Sequence, residues 1–245
     1  MKNSPRPRYC ITLDTDWASD QAIRFSLDLI IQQGIIPTVF ATNPSKILTE
    51  YSEKGVIELG LHPNFLPNST HGEDYQDVIN SLFEMYPTAK TFRSHAYFDN
   101  SIISRELFRR GIKYDANLCL HLQEGLKPMH HESGLTRFPT FLEDGVFLFY
   151  YKQTSLNEQT KTVILSDGLK IFNFHPTSVF LNIDTKQNYN RYKNLAKTLS
   201  NKHISLACSG FGARTLLNQI IELIKNNGYE FHSLNKLYNT YKNIV

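Results

Sequence analysis

Tyr9-Cys10-Ile11-Thr12-Leu13-Asp14-Thr15-Asp16-Trp17 is an apolar run that stops abruptly in two acids one residue apart. The run has the pattern of a buried strand. A strand that ends in carboxylates delivers charge to one edge of a sheet, where parallel α/β folds hold their active sites. Asp14 and Asp16 are therefore the first candidates for chemistry. The same two residues could equally serve as a strand end and a helix cap, so the decision passes to the segments around them.

Working outward, Ser19 and Asp20 supply capping oxygens to an amphipathic segment with Ile23, Leu27, Leu29, Ile30 and Ile31 on its apolar face, stopped by Gly34. Ile35 to Ala41 reads as a second strand, Pro44 opens a short helix ending at Gly55, and Val56 to Leu61 is a third strand that delivers His62. A loop from Pro63 to Glu73 precedes a helix from about Tyr75 to Tyr86. A short strand then runs into Phe92-Arg93, and a helix from Ile102 to Arg110 is closed by Gly111. Ile112 to Ala116, Phe138 to Phe141 and Val146 to Tyr151 read as strands. Cys119 to Leu135, with His121, His130 and His131, has no clear period and reads as an excursion over one end of the fold. Leu169 to Phe174 is a strong apolar strand running into His175-Pro176. Helices follow from about Tyr189 to Leu199 and from Arg214 to Asn226, and Tyr229 to Tyr241 reads as a short strand and a helix. The alternation predicts a mostly parallel sheet or a barrel.

Composition narrows the class. The chain has 245 residues, 41% apolar and 12% aromatic, enough for one well-buried core and near the size of a single α/β barrel. One domain over 1–245 is expected. Its 26 Lys and Arg against 23 Asp and Glu leave a net charge of +3, with no polybasic block to suggest nucleic acid or a membrane surface as partner. Cys10, Cys119 and Cys208 are far apart and form no CxxC pair, so they read as reduced core residues. The polar segment Met1 to Arg8 lacks an apolar signal, and no run approaches the roughly 20 apolar residues of a membrane span. The expected compartment is the cytoplasm.

Four groups of residues could do chemistry. Asp14 and Asp16 can turn toward one site where the strand frays, one to ligate a divalent metal and the other to take a proton from water. His62, on the Glu58-Leu59-Gly60-Leu61-His62 strand end, has the side chain most used as a nitrogen ligand, and His71 lies in the loop beyond it. In Phe92-Arg93-Ser94-His95, Arg93 can pair with one of the acids and fix its orientation, while His95 can serve as a ligand or a substrate contact. His175, at the end of the late strand, is placed to protonate a leaving group. Trp17 and Tyr97, aromatic residues near two of these groups, are candidate substrate contacts.

Taken in order, Asp14-Thr15-Asp16-Trp17, His62-Pro63-Asn64-Phe65-Leu66-Pro67, Arg93-Ser94-His95, Lys113 to Leu118 and Phe174-His175-Pro176 resemble the polysaccharide deacetylase superfamily of NodB-type domains. Within it they are most similar to the WbmS-like deacetylases of bacterial O-antigen and capsule synthesis. The resemblance implies a distorted (β/α) barrel of about seven strands. It also implies a metal-dependent hydrolase, with Zn²⁺ first and Co²⁺, Ni²⁺ or Fe²⁺ also suited, that removes N-acetyl groups from a sugar. By that pattern Asp14 is the general base, Asp16 and His62 are metal ligands, Arg93 positions the base and His175 is the general acid. Two departures stand out: Thr15 separates acids that the family usually has adjacent, and Leu66 occupies the position of the family's second metal His. A third ligand must come from His71, preferred because it shares the loop of His62, or from His95. Competing readings are a catalytically inactive glycan-binding barrel and a haloacid-dehalogenase-like Mg²⁺ phosphatase. The phosphatase reading leaves His62 and His175 idle.

Overall fold

A computed structural model describes residues 6–242; the polar segment from Met1 to Pro5 lies outside them. The chain runs β1 (Arg8–Asp14), α1 (Asp20–Ile31), β2 (Thr38–Ala41), α2 (Lys46–Glu53), β3 (Glu58–Leu61), α3 (Tyr75–Met85), β4 (Thr91–Phe92), α4 (Ser101–Arg109) and β5 (Tyr114–Asp115). It continues through β6 (Met129–His130), β7 (Thr136–Arg137), β8 (Thr140–Glu143), α5 (Glu158–Leu165), β9 (Leu169–Phe174), α6 (Pro176–Phe180), α7 (Lys186–Tyr192), α8 (Ala213–Asn226) and α9 (Leu234–Tyr241). The strands form one sheet in the order β6-β7-β5-β4-β3-β2-β1-β9-β8, parallel throughout except for the antiparallel β6-β7 pair. The sheet has nine strands where about seven were expected; four of them are two residues long.

The apolar run from Tyr9 to Asp14 forms an interior strand of this sheet, third from its β8 edge. β1 pairs with β2 on one side and β9 on the other, with Thr12 opposite Thr38 and Asn173. β9 is buried at every position and β1 at every position after Arg8, as expected where both faces of a parallel sheet are covered. On one face lie the helices, most of them entered through a side-chain cap, such as Ser19 accepting from the Ala22 N–H and Asp74 from those of Gln76 and Asp77, while α6 and α8 have none. The other face curls on itself. The backbone beyond β5 bonds to β8 through Thr140 N–H to the Leu118 carbonyl (2.7 Å) and Leu120 N–H to the Thr140 carbonyl (2.9 Å), drawing the two arms of the sheet into a half-barrel. The amino-terminal end is closed by α9 and the turn before it: His232 N–H donates to the Tyr9 carbonyl, and Tyr238 stacks on Tyr114 at 4.7 Å.

Two segments depart from the pattern read in the sequence. Val146 to Tyr151, expected as a strand, is a π-helical turn, Val146–Tyr150. Its Phe147 and Leu148 are buried, while Val146, Phe149 and Tyr150 face the cavity described below, a tertiary demand that short apolar runs do not reveal. Tyr189 to Leu199, expected as one helix, is the end of α7 followed by a 3₁₀ segment, Lys193–Thr198. No helix among the described residues is long and apolar enough to cross a membrane.

Candidate active site

Because the sheet is parallel, β1, β3, β4 and β9 end at one edge, and the side chains they deliver there are Asp14, His62, Arg93 and His175. Asp14, His62 and His175 line a cavity of about 790 Å³.

Arg93 is fully buried inside the half-barrel and does not line the cavity. Its Nη1 donates to Asp14 Oδ1 (2.9 Å), Thr12 Oγ1 (2.9 Å) and Asn173 Oδ1 (2.6 Å), its Nη2 to Thr140 Oγ1 (2.9 Å), and its Nε to the Ala116 carbonyl (2.9 Å). One guanidinium thus touches β1, β8, β9 and the end of β5, and its face lies 4.6 Å from the Phe40 ring on β2. The second Asp14 oxygen accepts from Asn173 Nδ2 at 2.8 Å. Burial pushes the Asp14 carboxyl up, but the Arg93 guanidinium and then His62 and His175 outweigh it and hold the group below the usual carboxylate range.

Thr15, the residue between the two acids, makes their spacing work. Its hydroxyl pairs with that of Thr42 (2.9 Å) and accepts from the Thr42 N–H (3.0 Å), while Trp17 N–H donates to Thr42 Oγ1 (2.9 Å). Pinned in this way, the chain turns through left-handed backbone at Asp16 (φ 43°) and Trp17 (φ 57°), and both acids reach the cavity. The 93–98 loop has the same feature at Ala96 (φ 55°) and Tyr97 (φ 53°). Non-glycine residues held in this region cost of order 1–3 kcal/mol each and cluster where a fixed geometry is needed.

Asp16 Oδ1 lies 3.1 Å from His62 Nε2 and 3.0 Å from His95 Nδ1, and the ligand atoms of the three residues all fall within 4.8 Å of one another. Burial raises the Asp16 carboxyl, and the hydrogen bonds from His62 and His95 more than reverse this, leaving it far below the usual range. His62 is itself buried and its Nδ1 has no hydrogen-bond partner among the described residues.

His71 does not join this group, which corrects the preference for it as third ligand. Its Nε2 donates to the Thr42 carbonyl at 2.6 Å and its Nδ1 accepts from the Asn64 N–H at 3.1 Å. Both nitrogens are thereby spent on holding the loop. Trp17 packs edge-on against His95 at 5.2 Å, and both Trp17 and Tyr97 line the cavity.

His175 approaches from the opposite side, with Nε2 3.6 Å from Asp16 Oδ2. Its other nitrogen, Nδ1, bonds to Asp144 Oδ1 at 2.7 Å, and its backbone N–H to Asp144 Oδ2 at 3.0 Å. Burial lowers the imidazole pKa; Asp144, and then Asp16 and Glu143, raise it well above the ordinary value. Asp144, fully buried just beyond β8, was not singled out in the sequence. The signal was present: Phe141-Leu142 running into Glu143-Asp144 repeats the apolar-run-into-acids pattern of β1. His121, His130 and His131 lie elsewhere, His121 stacked on Tyr151 at 4.4 Å.

A curled parallel sheet with an Arg-clamped carboxylate, an acid-and-imidazole cluster and a carboxylate-held histidine at one edge defines a NodB-type deacetylase, a hydrolase. The model of the WbmS-like polysaccharide deacetylase family matches residues 11–193, and the chain belongs to that family. Among solved structures it is similar to a protein of Bordetella bronchiseptica, WbmS, assigned as a polysaccharide deacetylase involved in O-antigen biosynthesis. The two share 27% identity over 91% of this chain and 93% of that one, with a TM-score of 0.80. A 4-α-glucanotransferase from Thermococcus litoralis shares the fold alone, at 11% identity and a TM-score of 0.55 over 96% of this chain and 38% of that one. No curated protein matches the chain significantly in sequence. Family membership sets aside the phosphatase reading, and His62 and His175, idle in it, both face Asp16.

Proposed function

We propose that this chain is a single catalytic domain that removes an N-acetyl group from a sugar of a bacterial surface polysaccharide, O-antigen or capsule, with a divalent metal held by Asp16, His62 and His95. The observation that carries the reading is the convergence of these three ligand atoms within 4.8 Å, between Asp14 in the grip of Arg93 and His175 in the grip of Asp144. Two imidazoles and a carboxylate suit Zn²⁺ and similar borderline ions, and the unpartnered Nδ1 of buried His62 shows that this ring is not committed to the protein's own hydrogen bonds on both sides. When bound, such an ion supplies a Lewis acid that activates water and polarises the acetamide carbonyl.

The chain's own residues do the rest. Asp14, ionised because Arg93 and Asn173 stabilise its charge, accepts the proton of the attacking water. Arg93 and Asn173 bond one oxygen each, which fixes the carboxylate's orientation. His175, kept protonated by Asp144, donates from Nε2 to the departing amine, so the products are acetate and an amino sugar. Acetate release from N-acetylated oligosaccharides, compared between wild type and Asp14→Asn, tests this reading. Wild-type release that Asp14→Asn abolishes supports it, while release of phosphate from a sugar phosphate with no acetate from any acetamido sugar refutes it.

A further inference from the structure

The cavity has two chemically opposite walls. At the strand ends it is acidic: Asp14, Asp16 and Glu143 line it, with Asp144 behind His175. Facing them are Lys186 at the start of α7 and Lys193 and Lys197 on the 3₁₀ segment after it. The stretch from Thr185 to Thr198 contains Lys186, Arg191, Lys193 and Lys197 and no acid, a local charge of +4 in a chain whose total is only +3. The three cavity lysines are exposed, and the lysine ion pairs within 4.0 Å among the described residues involve only Lys54 and Lys161. Lys186 Nζ lies instead over the rings of Tyr189 (4.6 Å) and Phe149 (5.9 Å), both cavity residues, and Tyr150 beside them is 82% exposed. The segment is anchored to the catalytic side by the Ser19 N–H, which donates to the Ala196 carbonyl at 2.8 Å.

We infer that this lysine wall is a subsite for an anionic group, a phosphate or a carboxylate, carried by the N-acetylated substrate. The inference deepens the deacetylase reading and rests on it. A lysine ammonium on a flexible stem offers three rotatable donors, which suits an anionic oxygen cluster whose position varies, and a cleft lined by one sign of charge concentrates the opposite sign within it. At the strand ends Asp14 is already paired with Arg93 and Asp144 with His175, whereas the three lysines have no ion-pair partner among the described residues. The two walls together therefore set the substrate's direction: the acetamide goes to Asp14, Asp16 and His175, the anion goes to the lysines, and the sugar lies between them against Phe149, Tyr150 and Tyr189. Aromatic rings beside ammonium groups are also suited to the apolar face of a sugar ring. A neutral glycan would leave the lysines unused.

The test is calorimetric binding to the full chain as purified. The probes are N,N′-diacetylchitobiose as the neutral sugar, N-acetylglucosamine 1-phosphate for the phosphate source, and a disaccharide of N-acetylglucosamine and glucuronic acid for the carboxylate source. We expect at least one anionic probe to bind tenfold or more tighter than the neutral one, with the advantage shrinking as NaCl is raised. We also expect the Lys186→Gln/Lys193→Gln/Lys197→Gln variant to lose that advantage. A matched triple, Lys90→Gln/Lys113→Gln/Lys127→Gln, lowers net charge equally at residues that do not line the cavity and should keep it. Tighter binding of only the phosphate or only the uronate names the source. Equal affinity for all three probes, or an advantage that survives in the cavity triple, overturns the inference. Because binding does not depend on turnover, a failure of acetate release would count against the deacetylase reading alone.

Discussion

Replacing Arg93 with Met, which keeps most of the side-chain volume, tests the claim that one guanidinium both closes the half-barrel and sets the charge state of the base. The substitution removes five hydrogen bonds and leaves the Asp14 carboxylate buried without its cation. Breaking a buried ion pair by deleting one member costs roughly 3–5 kcal/mol, because the partner's charge is left uncompensated. For a chain of this size, at about 2 °C per kcal/mol, that is a fall of roughly 6–10 °C in Tm. The pH dependence separates this cause from simple loss of packing. In the wild type, Arg93 together with His62 and His175 outweighs burial and holds the Asp14 carboxyl below its unfolded value, so Asp14 stabilises the fold above about pH 4 and that contribution fades as the pH falls. In Arg93→Met, burial acts without its main opponent and the carboxyl moves up. Stability is then lost as the pH rises through the new titration range, and the gap between the two proteins widens from pH 4.5 to pH 7.5.

Urea unfolding of chelator-treated protein at those two pH values reads the gap directly. In the Arg93→Met background, Asp14→Asn removes the orphaned charge and should restore at least about 2 kcal/mol at pH 7.5. A gap under about 1 kcal/mol, a gap equal at both pH values, or no restoration by Asp14→Asn would refute the reasoning.

Metal content by mass spectrometry should show about one zinc-like ion per wild-type chain and little in Asp16→Ala, His62→Ala or His95→Ala. His71→Ala should keep its metal but lose about 1–3 kcal/mol of stability by orphaning the Thr42 carbonyl and the Asn64 N–H. His175→Ala should lower kcat for acetate release about 10²–10⁴-fold. Asp144→Asn, which removes the carboxylate that does most to raise His175, should shift the alkaline limb of the pH-rate profile to lower pH, a movement that mere loss of structure would not produce. In Gly60→Ala the new methyl would meet Thr91 Cγ2 at 2.6 Å and the Phe40 ring at 2.9 Å; overpacking between β2, β3 and β4 should cost about 1–3 kcal/mol in chemical denaturation.

What the sequence made legible were strand ends. β9 lies where its apolar run predicted, and Asp14, His62, Arg93 and His175 each close an apolar stretch, so their convergence followed from a parallel sheet alone. Less legible were residues whose role depends on a neighbour distant in sequence. Asn173 is an ordinary polar residue inside a strand until the sheet sets it across from Thr12, where it reaches both Arg93 and Asp14. Thr42 acquires its task only through Thr15. The π-helical turn after β8 is not legible in the sequence because Val146 to Tyr150 is as apolar as a strand, and only the cavity it borders asks for anything else.

His95 shows the limit of reading ligands by spacing along one segment. A second histidine four residues after the first reaches a metal through local turn geometry, and Leu66 at that position closes that route. Adjacent parallel strands supply the same proximity by another route. Leu61 on β3 is in register with Phe92 on β4, so the chain leaves both strands side by side, and the His95 N–H bonds the Pro63 carbonyl at 2.8 Å. The two loops travel together just long enough to set His62 and His95 on either side of the same Asp16 oxygen. His71, freed from ligation, instead fastens its loop to Thr42, the residue that holds Thr15 and so the turn carrying Asp16. The separated acids and the missing histidine are therefore linked departures: a longer turn after β1 brings Asp16 to a pair of histidines contributed by neighbouring strands rather than by one loop.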